Sequence, residues 1–174
     1  MTHKPYYLKT ENPNAILGSF STISAVDDGT KESHKAAWIN GFLNEFLGSF
    51  VLFFGAMALT KNYFGAQLIS QLTAAGYDAS TAATQVAPYT TGSLAVAHLG
   101  LGFLVMTLVA SLGGPTGPGL NPARDLGPRL VYMVMPQSVV GEKTDSKWWY
   151  AWVPVVAPIV GGVIAATVFK LMFK

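Results

Sequence analysis

Three stretches of this chain are so long and so poor in charge that any fold must be built around them. Residues 36–60 carry Glu45 as their only charge, with Asn40 and Asn44 beside it. Between Leu94 and Leu112 there is no charge at all, and the chief polar side chains are His98, Thr107 and Ser111. Residues 148–173 open with Trp148, Trp149, Tyr150 and Trp152 and carry only Lys170 near their end. As helices these runs rise roughly 28 Å or more, enough to cross a bilayer, and the aromatic cluster is of the kind that anchors a span at the membrane surface. A chain that is 51% hydrophobic and 11% charged fits that class. The expectation is an all-α membrane protein with transmembrane helices at 36–60, 93–112 and 148–173. Residues 1–35 read as a connecting loop, and 61–92 as a loop with at most a short surface helix.

Composition excludes much else. The net charge is +2 and the basic residues are scattered, so nucleic acid is not a partner. Cysteine is absent, which removes disulfides, thiolate metal sites and thiol nucleophiles. His98 has no ligand partner at metal spacing and reads as a packing or interhelical hydrogen-bonding residue. With no nucleophile and base pair, no metal cluster and no cofactor motif, an enzyme is not expected. The first 35 residues show no apolar core behind a basic start, so no cleavable signal is read there.

Glycine repeats mark packing faces. Gly41, Gly48 and Gly55 recur every seven residues, and Gly161 with Ala165 and Gly162 with Ala166 repeat a small-xxx-small spacing. Small residues let helix backbones approach closely in lipid.

The segment between the second and third spans carries the chemistry. From Gly113 to Gly119 the chain is dense in glycine and proline, and Asn121 followed by Pro122 is a strong helix start. A non-helical stretch at 113–120 is therefore expected, leading into a short helix that ends near Met133, within a re-entrant piece at 113–133. Irregular backbone at membrane depth is tolerated only where it is buried in protein or lines a water-filled cavity. A helix that begins there turns its positive dipole end toward whatever occupies the cavity. Glu45, well inside the first span, costs roughly 2.5 to 3.5 kcal/mol on insertion scales and should face protein or water.

The string Gly-Leu-Asn-Pro-Ala-Arg-Asp-Leu-Gly-Pro-Arg at 119–129 resembles the second signature loop of the major intrinsic protein family. The resemblance runs over nearly the whole chain and implies the C-terminal half of an aquaglyceroporin, with the family's first repeat missing. Asn12-Pro13-Asn14 sits in a polar loop and does not stand in for the other signature. Asp125 after the arginine, Arg129, and the pair Pro154 and Val155 match the glycerol-conducting branch. The resemblance makes Arg124 the arginine of the selectivity filter, with Val109 and Pro118 as the other filter positions in this half. It has Asn121 presenting amide donors to permeant oxygens, and Gly117, Pro118, Gly119 and Leu120 offering backbone carbonyls. Pro118 departs from the large aromatic common in bacterial glycerol facilitators. Structural support falls to Glu45, which braces the loop, to Pro122 and Ala123 of the signature, and to an i,i+4 pair of Asp125 and Arg129.

The resemblance implies a channel half for glycerol, other small neutral solutes and water, in the plasma membrane, without cofactor or metal. Its partners would be the bilayer, the missing first repeat and the other subunits of a homotetramer. The alternative is a non-conducting fragment that only associates with a partner half. Family topology puts residues 1–35 and the loop before Trp148 outside, and 61–92 inside. Lys31, Lys35, Lys143 and Lys147 then lie outside against Lys61, Lys170 and Lys174 inside, which gives no positive-inside bias.

Overall fold

The computed structural model describes residues 4–61, 63–117 and 119–173, and among them every regular element is a helix. Two short helices, α1 (Lys4–Lys9) and α2 (Pro13–Gly18), precede α3 (His34–Thr60), α4 (Tyr63–Ala74) and α5 (Ala79–Thr116). After them come α6 (Pro122–Val134), α7 (Gln137–Val140) and α8 (Val153–Met172). Stretches within His34–Ala74, Gly92–Thr116 and Val153–Met172 are long and apolar enough to cross a membrane.

Helix α3 packs along α8 and against α5, while α4 pairs with α5. Glycines set these approaches. A Cβ on Gly161 would come within 2.6 Å of the Phe46 carbonyl oxygen, so this glycine is where α8 meets the α3 backbone. The seven-residue stripe on α3 faces elsewhere. Gly41 lies under the Tyr150 ring, Gly48 under Leu120 and Leu112, and Gly55 under Leu104. It makes room for side chains of α5, for Leu120 before α6 and for Tyr150 before α8.

Several sequence expectations need correction. The connecting loop at 1–35 contains α1 and α2, and residues 61–92 contain α4 and the first part of α5. Asp78 starts α5 by accepting from the amides of Ser80 and Thr81 at 3.0 Å each, a cap that the flanking alanines extend inward. The hydroxyls of Ser80 and Thr81 hold its carboxyl well below the usual range. The resulting helix has 38 residues and passes through Pro88. The expected span 93–112 is thus the later part of one longer helix.

The break before the signature is also shorter than expected. Helix α5 continues through Gly113, Gly114 and Pro115 and stops only at Gly117, whose φ of 61° is the left-handed cap that favours glycine. The last turn persists because its free carbonyls find partners. Pro115 O accepts from the Ala25 amide at 2.8 Å and Thr116 O from the Ile23 amide at 3.2 Å. His98 likewise differs: it is exposed and its Nδ1 lies 2.6 Å from Leu94 O of its own helix, not across to another.

A small apolar cluster sits beyond the helix ends. Ile16, Leu17, Tyr132 and Val140 are fully buried, with Tyr7 beside them. A Cβ at Gly141, whose φ is 75°, would lie 2.5 Å from Tyr7 O. This cluster therefore clamps the far end of α6 under α1, α2 and α7. Nearby, Lys147 pairs with Asp27. Burial alone would raise the Asp27 carboxyl, but the bonds from Lys147, the Gly29 amide and Ser33 outweigh it and hold it below the usual range.

Candidate functional site

The approach to α6 is held by one buried carboxylate. Glu45 is fully buried, and its Oε1 accepts from the Gly119 amide at 3.0 Å and the Thr116 hydroxyl at 3.1 Å. Its Oε2 accepts from the Leu120 amide at 2.6 Å. Three donors at a buried carboxylate offset its desolvation, as burial of a charge requires. They also hold Leu120 at φ 52°, a left-handed conformation that costs a non-glycine residue of order 1 kcal/mol or more. At Gly119 a Cβ would meet Thr22 Oγ1 at 2.6 Å, so any larger residue would displace the buried Thr22 side chain. Asn44 adds a second tie, donating from Nδ2 to Leu112 O at 3.2 Å and to the Thr116 hydroxyl.

Because Glu45 takes the two amides, the polar groups left on this segment are carbonyls. Among the described residues no donor reaches the carbonyl oxygens of Gly117, Gly119 or Leu120.

Asn121 then starts α6, its side chain accepting from the Ala123 amide at 2.9 Å with Pro122 at the first helical position. Inside the first two turns lies a fully buried ion pair. Arg129 Nε and Nη2 donate to the two Asp125 oxygens at 2.8 and 2.7 Å. Arg129 goes on to donate to Ser146 O at 2.6 Å and Thr22 O at 2.7 Å, while Asp125 accepts from the Thr22 amide at 2.7 Å. The pair therefore does more than stabilise its own helix. It pins α6 to loops more than a hundred residues away on one side and to the segment before α8 on the other. At the C-terminal end, Lys143 donates to Met133 O at 2.8 Å and Met135 O at 3.0 Å, placing a cation at the negative end of the helix dipole.

Between α3, α5, α6 and α8 lies an open groove of about 350 Å3. Leu52, Phe53, Val105 and Val109 give its lining an apolar part. Gly119, Leu120, Asn121, Pro122 and Arg124 line the same groove, together with Pro158 and Ile159. Six sequence-singled residues thus meet in one groove: Val109, Gly119, Leu120, Asn121, Pro122 and Arg124. Gly117 instead borders a separate cavity of about 300 Å3 with Asn12, Gly113 and Gly114. Ala123 is exposed beside the groove, Asp125, Arg129 and Glu45 lie beneath its surface, and Pro118 lies outside the described residues.

Sequence reasoning missed Thr22, Asn44, Thr116 and Lys143. Asn44 gave a signal, an amide in an apolar span beside a charge. Thr22, far away in a polar segment, gave none.

The model of the family described as major intrinsic protein matches residues 14–169. The glycerol facilitator-aquaporin gla of Lactococcus lactis subsp. cremoris is 57% identical over 183 residues, covering 99% of this chain and 63% of that relative. Glycerol uptake facilitator protein-like 5 of Lactiplantibacillus plantarum is 41% identical, covering 97% of this chain and 53% of the relative. The probable glycerol uptake facilitator protein of Thermotoga maritima is 32% identical, with 99% and 57% covered. The chain therefore spans about half to two thirds of the length of these relatives. No solved structure matches it. A signature loop set among membrane-length helices and a match over this much of the sequence lead to one assignment: the chain belongs to the major intrinsic protein family.

Proposed function

We propose that this chain is a channel component and not an enzyme, and that its residues supply one wall of a pore for glycerol, other small neutral solutes and water in the cell membrane. The observation that carries the reading is the mixed lining of the groove, apolar side chains together with Asn121 and Arg124. A polyol has a hydroxyl edge and a carbon face, and here Arg124, Asn121, Gly119 and Leu120 share one groove with Val105, Val109, Leu52 and Phe53. Arg124 offers donors in a fixed fork and repels cations, while carbonyls accept from the same hydroxyls. Helix α6, at 13 residues and about 20 Å, is too short to cross and acts as a re-entrant half-helix whose dipole also opposes cations.

The similar relatives named as glycerol facilitators support the same solute class. In this reading the opposing wall comes from a first-repeat half, and complete pores assemble as homotetramers. The test is glycerol flux into proteoliposomes. Residues 1–174 alone should not conduct, and the same chain with a separately expressed first repeat should. Conduction by the lone chain overturns the half-pore part of the reading; conduction by neither overturns the channel and leaves a helix-associating fragment.

A further inference from the structure

At the tryptophan-rich end of the α3 and α8 seam is a second groove, of about 340 Å3, lined by Lys35, Trp38, Ile39, Phe42, Leu43 and Trp152. It lies apart from the solute groove and shares no residue with it. Five of its six lining residues are apolar and the sixth is a cation. Lys35, Ile39 and Leu43 stand at successive i,i+4 positions of one α3 ridge, with Leu47 next, and the three apolar members are 53–55% exposed. Beside the ridge a ladder of rings continues into the apolar span, with Phe42 to Phe46 at 6.4 Å and Phe46 to Phe50 at 6.5 Å.

The groove is preformed. Trp38 is fixed by its Nε1 donating to Trp149 O at 3.2 Å, and Trp152 packs 6.2 Å from Trp38 and 6.1 Å from Phe42. A ligand entering it has few side chains to order. Indoles at the head of a span mark the depth where hydrocarbon gives way to headgroups. Lys35 lies one turn nearer the start of α3. It is exposed, and among the described residues its ammonium meets no hydrogen-bond acceptor or carboxylate.

We propose that this groove binds a membrane phospholipid of net negative charge, its phosphate at Lys35 and one acyl chain along Ile39, Leu43 and the ring ladder. The inference rests on α3 and α8 spanning a membrane, as in the proposed function. An exposed ammonium at the interface calls for an anion, and the trough directly below it calls for hydrocarbon. A diacyl lipid offers both at that spacing. A free phosphate leaves the trough empty, and an apolar partner helix leaves the ammonium without a counter-charge. One lysine near the surface is worth about 1 kcal/mol toward an anionic lipid, which is about a fivefold preference.

The test uses tryptophan fluorescence of the full chain in phosphatidylcholine and phosphatidylglycerol vesicles, with bromines on the acyl chains of one lipid at a time. Half-maximal quenching should need about fivefold less brominated phosphatidylglycerol than brominated phosphatidylcholine. Lys35→Gln should remove that difference and Lys35→Arg should keep it, and inorganic phosphate should not compete. Equal quenching in the unaltered protein, a preference that survives Lys35→Gln, or competition by phosphate overturns the lipid site while leaving the spans intact. Blue-shifted emission with no quenching by either lipid, together with cross-linking between chains, assigns the groove to a second copy and also overturns it. Red-shifted emission without quenching shows a chain outside the membrane, and the underlying reading fails instead.

Discussion

Two Asn-Pro pairs in this chain start helices by the same device and lead to different ends. Asn12 accepts from the amides of Asn14 and Ala15 at 3.0 and 3.3 Å, and Asn121 accepts from that of Ala123 at 2.9 Å. Each is followed by proline at the first helical position. Helix α2 then runs six residues and buries Ile16 and Leu17 in the outer apolar cluster. Helix α6 runs 13 residues from a groove, with Glu45 beneath its approach and the Asp125–Arg129 pair beneath its first turns. The cap decides where a helix begins. What the helix is used for is decided by the buried charges that fix its entrance, and α2 has none.

The largest effects should come from removing those charges. Arg129→Leu leaves Asp125 buried and unpaired and strips donors from Thr22 O and Ser146 O. A broken buried pair costs about 3–5 kcal/mol, so this variant should not be recovered as a monodisperse species in mild detergent. Normal recovery with an unchanged melting temperature would show that the pair does not hold α6. Glu45→Leu should be of comparable size. It leaves the amides of Gly119 and Leu120 and the Thr116 hydroxyl without their acceptor, at about 1–3 kcal/mol per group if each stays buried. Assembly should suffer before selectivity does; a variant that assembles normally means Glu45 is no brace.

These features were unevenly legible in the sequence. Charge-poor length pointed to the membrane-spanning class, and the helix start at Asn121 was readable because capping and proline chemistry act within a few residues. Helix ends were harder. The last turn of α5 at Pro115 and Thr116 survives only because amides at Ile23 and Ala25 reach its carbonyls, a contact no local pattern encodes. The same holds for Thr22, which meets Asp125 and Arg129 across more than a hundred residues. Asp125 and Arg129 could be read as an i,i+4 pair, yet their burial could not, since nothing in their spacing distinguishes a solvated pair from one pinned by two loops. Lys143 was visible as a loop charge, whereas its role at the end of α6 depends on how the 137–147 segment turns back.

Groove substitutions should change permeation more than folding. In a pore completed by a first repeat, Arg124→Ala removes a fixed positive charge and the bulk of a guanidinium, so conductance of cations and larger neutral solutes should rise severalfold in a flux assay. Unchanged selectivity would remove Arg124 from the filter. Val109→His is a smaller change, narrowing the passage and adding a polar group on its apolar wall. The ratio of water to glycerol permeability should rise, and a fall would mean that this wall does not contact the solute.

The smallest stability effect sharpens the comparison best. Asn12→Ala and Asn121→Ala each delete one side-chain cap and leave the following proline in place, so each should lower stability by about 1 kcal/mol. If capping were all that either asparagine did, the two variants would be equivalent in every assay. They should not be. Asn121 is exposed at the groove, where in the proposed pore its amide N–H groups can donate to a permeant oxygen while its carbonyl oxygen accepts from Ala123. Asn12 lies instead on the small cavity beside Gly117. Matched thermal melts with glycerol flux lowered only in Asn121→Ala would separate the structural role from the permeation role. Equal flux in both variants would reduce Asn121 to a second copy of Asn12.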